Sequence, residues 1–491
     1  MNNTPDIELP KFSAPQNRRQ SSNTNRVDSQ ERSIDTEDAI NHTSSLATPL
    51  LSAEEGGSER REEAGGGGKA TILVSIFNLA NNVAGSGMLT LSSGKASGSG
   101  TGWIPSVLLV CLLASAACHT FSLLGRSCEL TGSRTFRDLW VAAFGQSGKP
   151  WAVDLAIFAQ SSLSSIIYLG LLGDIFSSLM SLTGVFPAFL CKRSFAIITL
   201  STFVLWPLNM IRDLSSLGFT SILGVVAVLY TVGFVLVRAT DGTYALSPKG
   251  EFLQDGLIVA IPSFEKSSYW HMDLSSLALV SNLSLAFIAH YNAPSYWREL
   301  RHATAGRFLT VSRVSYLILV IMYTLVMCGG YATFGDSCFG NLLRNYHPND
   351  KLAGFARLST GLSILFGFPF IANGARESFT SLYAAYTAGG GGDGQHVSLN
   401  RAYLVSGFLS ITSCVAISID DVKVAAGLSG AAVGSFLVYI CPSLVYVTIV
   451  RKESGAGSRK YERAVKNILF VPFGVCTAIL GVSMTIRHMM E

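Results

Sequence analysis

The sequence predicts an all-α integral membrane protein with eleven transmembrane helices. Three observations carry that prediction. The chain has 491 residues, of which 49% are hydrophobic and 14% charged, whereas a soluble protein of this size carries about a quarter charged residues. The charge is also uneven, because residues 1–69 hold 20 of the 68 charged side chains. The remainder falls into long apolar runs with polar breaks between them, and each run can cross roughly 30 Å of hydrocarbon as a helix. Lipid offers no water to exposed backbone groups, so many such runs imply a helical bundle.

Residues 1–69 read as a disordered cytosolic tail. They are rich in Ser, Asn, Glu and Gly, end in "GGGG" at 65–68, and carry 12 acids against 8 bases. That composition cannot build a core, and no early apolar segment marks a signal peptide. Residues 70–491 read as one transmembrane domain. Its runs are 70–92, 103–125, 151–179, 195–211, 214–238, 273–293, 308–334, 354–384, 399–419, 424–449 and 464–487. The fourth and fifth are separated only by "NMIRD" at 209–213.

Lysine and arginine in the short loops set orientation. With the N-terminus inside, the inner loops 126–150, 294–310 and 451–463 hold twelve, against six in the short outer loops. A cytosolic N-terminus follows. The net charge of +4 carries no nucleic-acid signal, because the lysines and arginines sit in short loops. A monomer in the bilayer is the expected working unit.

The first run reads "FNLANNVAGSGMLTL" at 77–91. Asn78, Asn81 and Asn82 are costly in hydrocarbon, and Gly85 and Gly87 weaken a helix. Irregular backbone inside a membrane is tolerated only where it faces protein or a water-filled cavity. Transporters place discontinuous helices at mid-membrane, where freed backbone groups meet a ligand. Gly85, Ser86 and Gly87 are therefore candidates for binding an anion such as a carboxylate through N–H groups at the start of the second half-helix. Asn81 can offer its side-chain carbonyl to a cation. The bland alternative is a tight helix–helix contact at the two glycines.

The sixth run is interrupted too, by Asn282, His290 and Asn292 before Pro294. A pair of broken spans five helices apart fits two inverted five-helix repeats. His290 can titrate near neutral pH. Asp174, in "LGLLGDIFSSLM", is a candidate proton-coupling carboxylate, with an outer-interface position as the alternative.

Nine cysteines follow no metal-ligand spacing. Most lie within spans. Cys191 and Cys338 fall in loops expected on the same, non-cytosolic side, and are the candidate disulfide. No H-E-x-x-H, G-x-S-x-G or P-loop pattern occurs, so no enzyme is indicated. No channel filter is visible.

Several stretches resemble the amino acid/auxin permease family, and within it the neutral amino-acid transporters and vacuolar amino-acid exporters. They are "IFNLANNVAGSGMLTL" in the first run, "GRSCELTGSRTFRDLWVAAFG" at 125–145, "FIAHYNAPSYWREL" at 287–300, "GGYATFGD" at 329–336, "NLLRNYHPNDKLAGFARL" at 341–358 and "GLSGAAVGSFLVYICPSLVYV" at 427–447. The resemblance covers about 70–487 in the family's order. It implies eleven spans in a LeuT-like five-plus-five inverted repeat with broken first and sixth helices, and secondary transport of amino acids without a cofactor. It places the substrate at Gly85, Ser86 and Gly87, at Phe287 and His290, and at Ser164, Ser165 and Tyr168 of "SSLSSIIY". Ion coupling falls to Asn81, Asp174 and His290.

One departure bears on the ion. Sodium-coupled members resemble each other in carrying a Thr a few residues before the "P…R" stretch of the eighth span, where alignment on Pro369 and Arg376 places Gly367. A glycine supplies no side-chain oxygen to a hard cation. Proton-linked transport is the expectation, with sodium as the alternative, which Ser363 one turn earlier would serve. The 239–272 loop holds no N-x-[ST] acceptor, which leans towards a vacuolar or lysosomal-type membrane over the plasma membrane. The competing reading is a sensor that binds amino acids and signals through the tail.

Overall fold

The structure is a computed structural model and describes residues 68–211, 218–254, 260–387, 400–419, 427 and 429–490. The expected tail lies outside these residues save for Gly68 and Lys69. Among the described residues the molecule is helical, with two isolated β-bridges and no strand. Among the described residues nine helices are long and apolar enough to cross a membrane, and a bent pair makes up to ten. Length and composition alone therefore stop short of the expected eleven. The expected fourth span is a shorter continuous stretch from Arg193 to Asn209, and its centre, Ser201–Leu205, is wound as a π-helix.

The first span is broken where its glycines predicted. Helix α1 (Ile72–Val83) starts at Thr71, whose hydroxyl accepts from the Val74 N–H at 3.3 Å. It stops at Ala84. Gly85 adopts φ −61°, ψ −121°, outside any helix, and a 3-10 turn over Ser86–Thr90 leads into α2 (Leu91–Ala96). The two halves meet at 43°.

Helix α3 (Trp103–Thr131) ends at Gly132, whose φ of +65° suits glycine. Helix α4 (Phe136–Phe144) begins with a capping box between Thr135 and Asp138. Helix α5 (Pro150–Thr183) starts on a proline, which needs no N–H at that position. After α6 (Arg193–Leu200), α7 (Trp206–Asn209), α8 (Gly218–Thr240) and the short α9 (Glu251–Gln254) comes the second broken span. Its halves are α10 (Leu277–Ala286) and α11 (Ala293–Glu299), joined by a 3-10 turn at His290–Asn292. Helices α12 (Ala305–Phe334), α13 (Lys351–Thr387) and α14 (Arg401–Ser418) follow, then the helical spans Ser429–Ser454 and Arg459–Ser483.

The two broken spans are joined at both ends. At the end where the first span begins, Ala70 N–H donates to Glu299 O at 2.9 Å and Arg301 N–H to Ala70 O at 2.8 Å. At the opposite end, Gly102 N–H donates to His271 O at 2.8 Å, and Ser99 Oγ donates to Asp273 at 2.7 Å. Between these ties, Asn282 Nδ2 donates to Thr90 O at 3.1 Å. Around this pair, α13 packs on α5 and α8, and α12 on α3 and α1.

The expected disulfide is not formed. Cys191 and Cys338 are not joined by a disulfide. Cys338 is buried with its S–H turned to Gly330 O at 3.5 Å, whereas the Cys191 S–H faces Phe186 O at 3.9 Å. Each thiol is turned to a carbonyl of its own neighbourhood, so lying in loops of the same face does not pair them.

Candidate functional site

The two breaks face each other. A Cβ on Gly87 would stand 2.6 Å from Ala286 Cα, so only glycine allows this approach of the first span to the sixth. A Cβ on Gly85 would stand 2.1 Å from Tyr168 Oη. The "GSG" thus makes close contacts on two sides, with α10 and with α5. Ser86 opens the 3-10 turn, and its side chain lies outside the described residues.

Beside this contact is a small cavity of about 20 Å³. Its polar lining comes from Asn82, Gly87, Ser164, Tyr168 and Tyr291, and its apolar lining includes Ile288 and Ile371. No charged side chain lines it. That volume holds about one water and no amino acid, so the cavity must widen to admit one. Of the sequence candidates, Gly87, Ser164 and Tyr168 meet here.

Others do not. Phe287 is fully buried against Tyr323, with ring centroids 5.0 Å apart. His290 is fully buried and turned to α3, its Nε2 lying 3.1 Å from both Thr120 Oγ1 and Ala117 O. The chain changes direction after α10, and that turn carries His290 away from the cavity. Ser165 is one residue past the cavity-facing Ser164, on another side of α5, and its buried hydroxyl has no hydrogen-bond partner. Asp174 lies ten residues beyond Ser164, about 15 Å along the helix. It faces Arg193 at 3.0 Å and Arg344 at 3.9 Å, in a separate pocket of about 270 Å³ that also includes Arg357.

Asn81 sits at the back of the break. Its Oδ1 accepts from Ser363 Oγ at 3.1 Å, and its Nδ2 is buried without a partner. Gly367 is the next turn along α13, and a Cβ there would lie 3.7 Å from the Asn81 backbone oxygen. The alignment of the eighth span on Pro369 and Arg376 therefore does bring position 367 to the first break.

Sequence reasoning missed the groups that satisfy the broken backbone. Tyr323 Oη lies 2.6 Å from Val83 O and 2.9 Å from Ala286 O, the carbonyls that end α1 and α10. Tyr316, two turns earlier on α12, donates to Phe287 O at 3.1 Å. A polar relay was missed as well. Ser429 Oγ donates to Gln160 Oε1, and Gln160 Nε2 donates to Ser164 Oγ, each at 3.1 Å. The available signal was spacing: tyrosines seven apart on an apolar helix share a face and need partners when buried.

Residues 68–487 match the family model described as transmembrane amino acid transporter protein. The chain belongs to this family. Its relatives include proteins named "Putative sodium-coupled neutral amino acid transporter 11". The one from Danio rerio is 27% identical over 410 residues, covering 83% of this chain and 84% of the relative. The one from Bos taurus is 25% identical, covering 84% and 82%. Members of this transmembrane amino acid transporter family are transporters and not enzymes. Their substrate is an amino acid and their surroundings are membrane lipid, which accounts for the apolar helices of this chain.

Proposed function

We propose that this chain is a secondary active transporter of neutral amino acids, driven by a cation and working by alternating access. The observation that carries the reading is the meeting of the two broken spans at an uncharged polar cavity. Backbone N–H groups after Gly85 suit the substrate carboxylate, and the carbonyls of Val83 and Ala286 suit its ammonium. Lining without charge suits an uncharged side chain. We take Arg193–Asn209 as the fourth of eleven spans, arranged as two inverted five-helix halves, in the plasma membrane or a vacuolar-type membrane with the N-terminus cytosolic.

Two cations compete. The proton reading rests on Gly367, which brings no side-chain oxygen to the first break. Its carriers would be Asp174 and His290, neither of which lines the cavity. The sodium reading is favoured by the Ser363–Asn81 contact, which gathers two side-chain oxygens beside a backbone carbonyl. The printed names of the relatives support it too. Purified protein in liposomes, given labelled neutral amino acids under a proton or a sodium gradient in turn, tests the proposal. Accumulation under either gradient supports transport and names the ion. Binding without accumulation under both gradients favours the sensor and overturns the reading.

A further inference from the structure

The stretch that leads into the second broken span turns its apolar side chains outward. Tyr269 and Trp270 are 81% and 66% exposed, and Met272 and Leu274 are exposed beside them in the sequence. Leu274 is already the first residue of that span. So many large apolar groups standing clear of the protein together are costly in water and mark a contact surface.

The place of this stretch in the fold says what covers it. The carbonyls of Ser268, Tyr269 and His271 accept from the N–H groups of Trp103 at 3.0 Å, Ile104 at 3.1 Å and Gly102 at 2.8 Å. The first turn of a helix cannot use these donors itself, so the stretch is fastened across the start of α3. Ile104 opens a stripe with Leu108 and Leu112, each about half exposed, at the four-residue spacing of one helix face. On a membrane span such a stripe faces lipid. The bond from Ile104 N–H to Tyr269 O makes residues 269–274 the continuation of that stripe beyond the end of the helix. Depth agrees. Helix α3 has 29 residues, about 43 Å at 1.5 Å per residue, against a hydrocarbon core of roughly 30 Å. Its first turn therefore reaches the headgroup layer, where Trp and Tyr rings are enriched.

We propose that residues 269–274 are an interfacial anchor, with the Tyr269 and Trp270 rings laid among the lipid headgroups at the end of the bundle away from Ala70. Each ring then has its apolar body against the upper acyl chains and its hydroxyl or indole N–H in the polar layer. Glu265 and Lys266, both exposed just before the aromatic pair, belong on the water side. The anchor relies on apolar contact and asks for no particular headgroup charge.

The test compares the full chain in liposomes with Trp270→Phe. The chain has six tryptophans, so the difference between the two emission spectra isolates Trp270. An aromatic replacement at so exposed a position leaves the fold in place. The difference signal is expected to lose about half its intensity or more when the lipids carry bromine on the upper half of an acyl chain. A smaller loss overturns the proposal, and iodide supplied on both faces then says why. Quenching by iodide puts the ring in water. A signal that neither reagent quenches puts it under protein, such as a second copy of this chain.

Discussion

The hydroxyl of Tyr323 lies 2.6 Å from the carbonyl oxygen of Val83, the last residue of α1. The same hydroxyl is 2.9 Å from Ala286 O, at the end of α10. It has one proton and two acceptors, one on each broken span, so it bonds one carbonyl fully at a time. The third helix in this contact, α12, thereby senses both breaks. Tyr323→Phe leaves both carbonyls without that donor in a buried place, a cost of about 1–3 kcal/mol. Expected are a lower melting temperature in detergent and an uptake rate reduced about tenfold at saturating substrate. Uptake at the wild-type rate would remove Tyr323 from the transport cycle.

Gly85 faces Tyr168 so closely that Gly85→Ala must collide with the ring whether or not a substrate ever binds there. A single substitution cannot separate packing from binding. The pair can, through a double-mutant cycle. Gly85→Ala is expected to abolish uptake. Tyr168→Leu in the same chain relieves the collision and is expected to restore thermal stability by about 1 kcal/mol or more. Uptake should stay lost, because the leucine also removes the Tyr168 ring from the cavity wall. Recovery of uptake along with stability would make the glycine a packing residue alone.

Gly367→Ala tests the opposite case. Its Cβ would meet Asn81 O at 3.7 Å and Tyr168 at 3.8 Å, ordinary contact distances. The variant is expected to fold and transport normally. Ser363→Ala, by contrast, removes a side-chain oxygen from Asn81. In the sodium reading it raises the half-saturating sodium concentration about tenfold with the proton response unchanged. An unaltered sodium dependence would return the coupling to protons.

Asp350 is fully buried and receives two bonds from Arg238, at 2.9 and 2.7 Å, and one from Tyr244 at 3.0 Å. It ties α8 to the start of α13 at the end of the bundle away from Ala70. Removing Asp350 leaves Arg238 only its ion pair with the more exposed Asp241 and takes the acceptor from the buried Tyr244 hydroxyl, a loss of up to about 3–5 kcal/mol. Asp350→Ala is expected to leave little folded protein by fluorescence-detected size exclusion. A monodisperse, heat-stable variant would show that the existing Arg238–Asp241 pair suffices without Asp350.

Asp273 lies outside the spans, where hydrogen bonds from Ser275 first and then Ser99 hold its carboxyl down at about 2. A carboxylate with a lowered value stabilises the fold above its unfolded value near 4. That contribution is lost as pH falls from about 4 towards 2. The group is partly exposed, so its effect is small. Between pH 5 and 8 Asp273→Asn should lower the melting temperature slightly and evenly. A difference from wild type that grows on going from pH 5 to 8 would contradict this.

The breaks were legible in the sequence because their cause is local. Glycines, asparagines and Pro294 disfavour a continuous apolar helix wherever they stand. What satisfies the broken backbone was not legible. Tyr316 and Tyr323 look like ordinary apolar-face aromatics until α12 is laid across both breaks. His290 misled for a related reason: its depth in the span is fixed by counting, but the side it faces is set by the turn before it. Cys191 and Cys338 misled because the shared face of a membrane says nothing about lateral distance. Gly367 lies beside the first break, and Ser363 one turn earlier bonds the Asn81 side chain there.

The first and sixth spans are fastened together at Ala70 and Glu299 on one rim and at Gly102 and His271 on the other, and pressed together between at Gly87 and Ala286. A jaw hinged at one rim can gape. A plate riveted at both rims can only rock. In the alternating-access cycle proposed above, the passage to either side of the bilayer would open by the surrounding helices sliding past this plate, with the substrate held in one undivided grip. An antibody or small reagent that seizes the 266–273 loop takes hold of the rim itself, and from there has leverage on the buried centre.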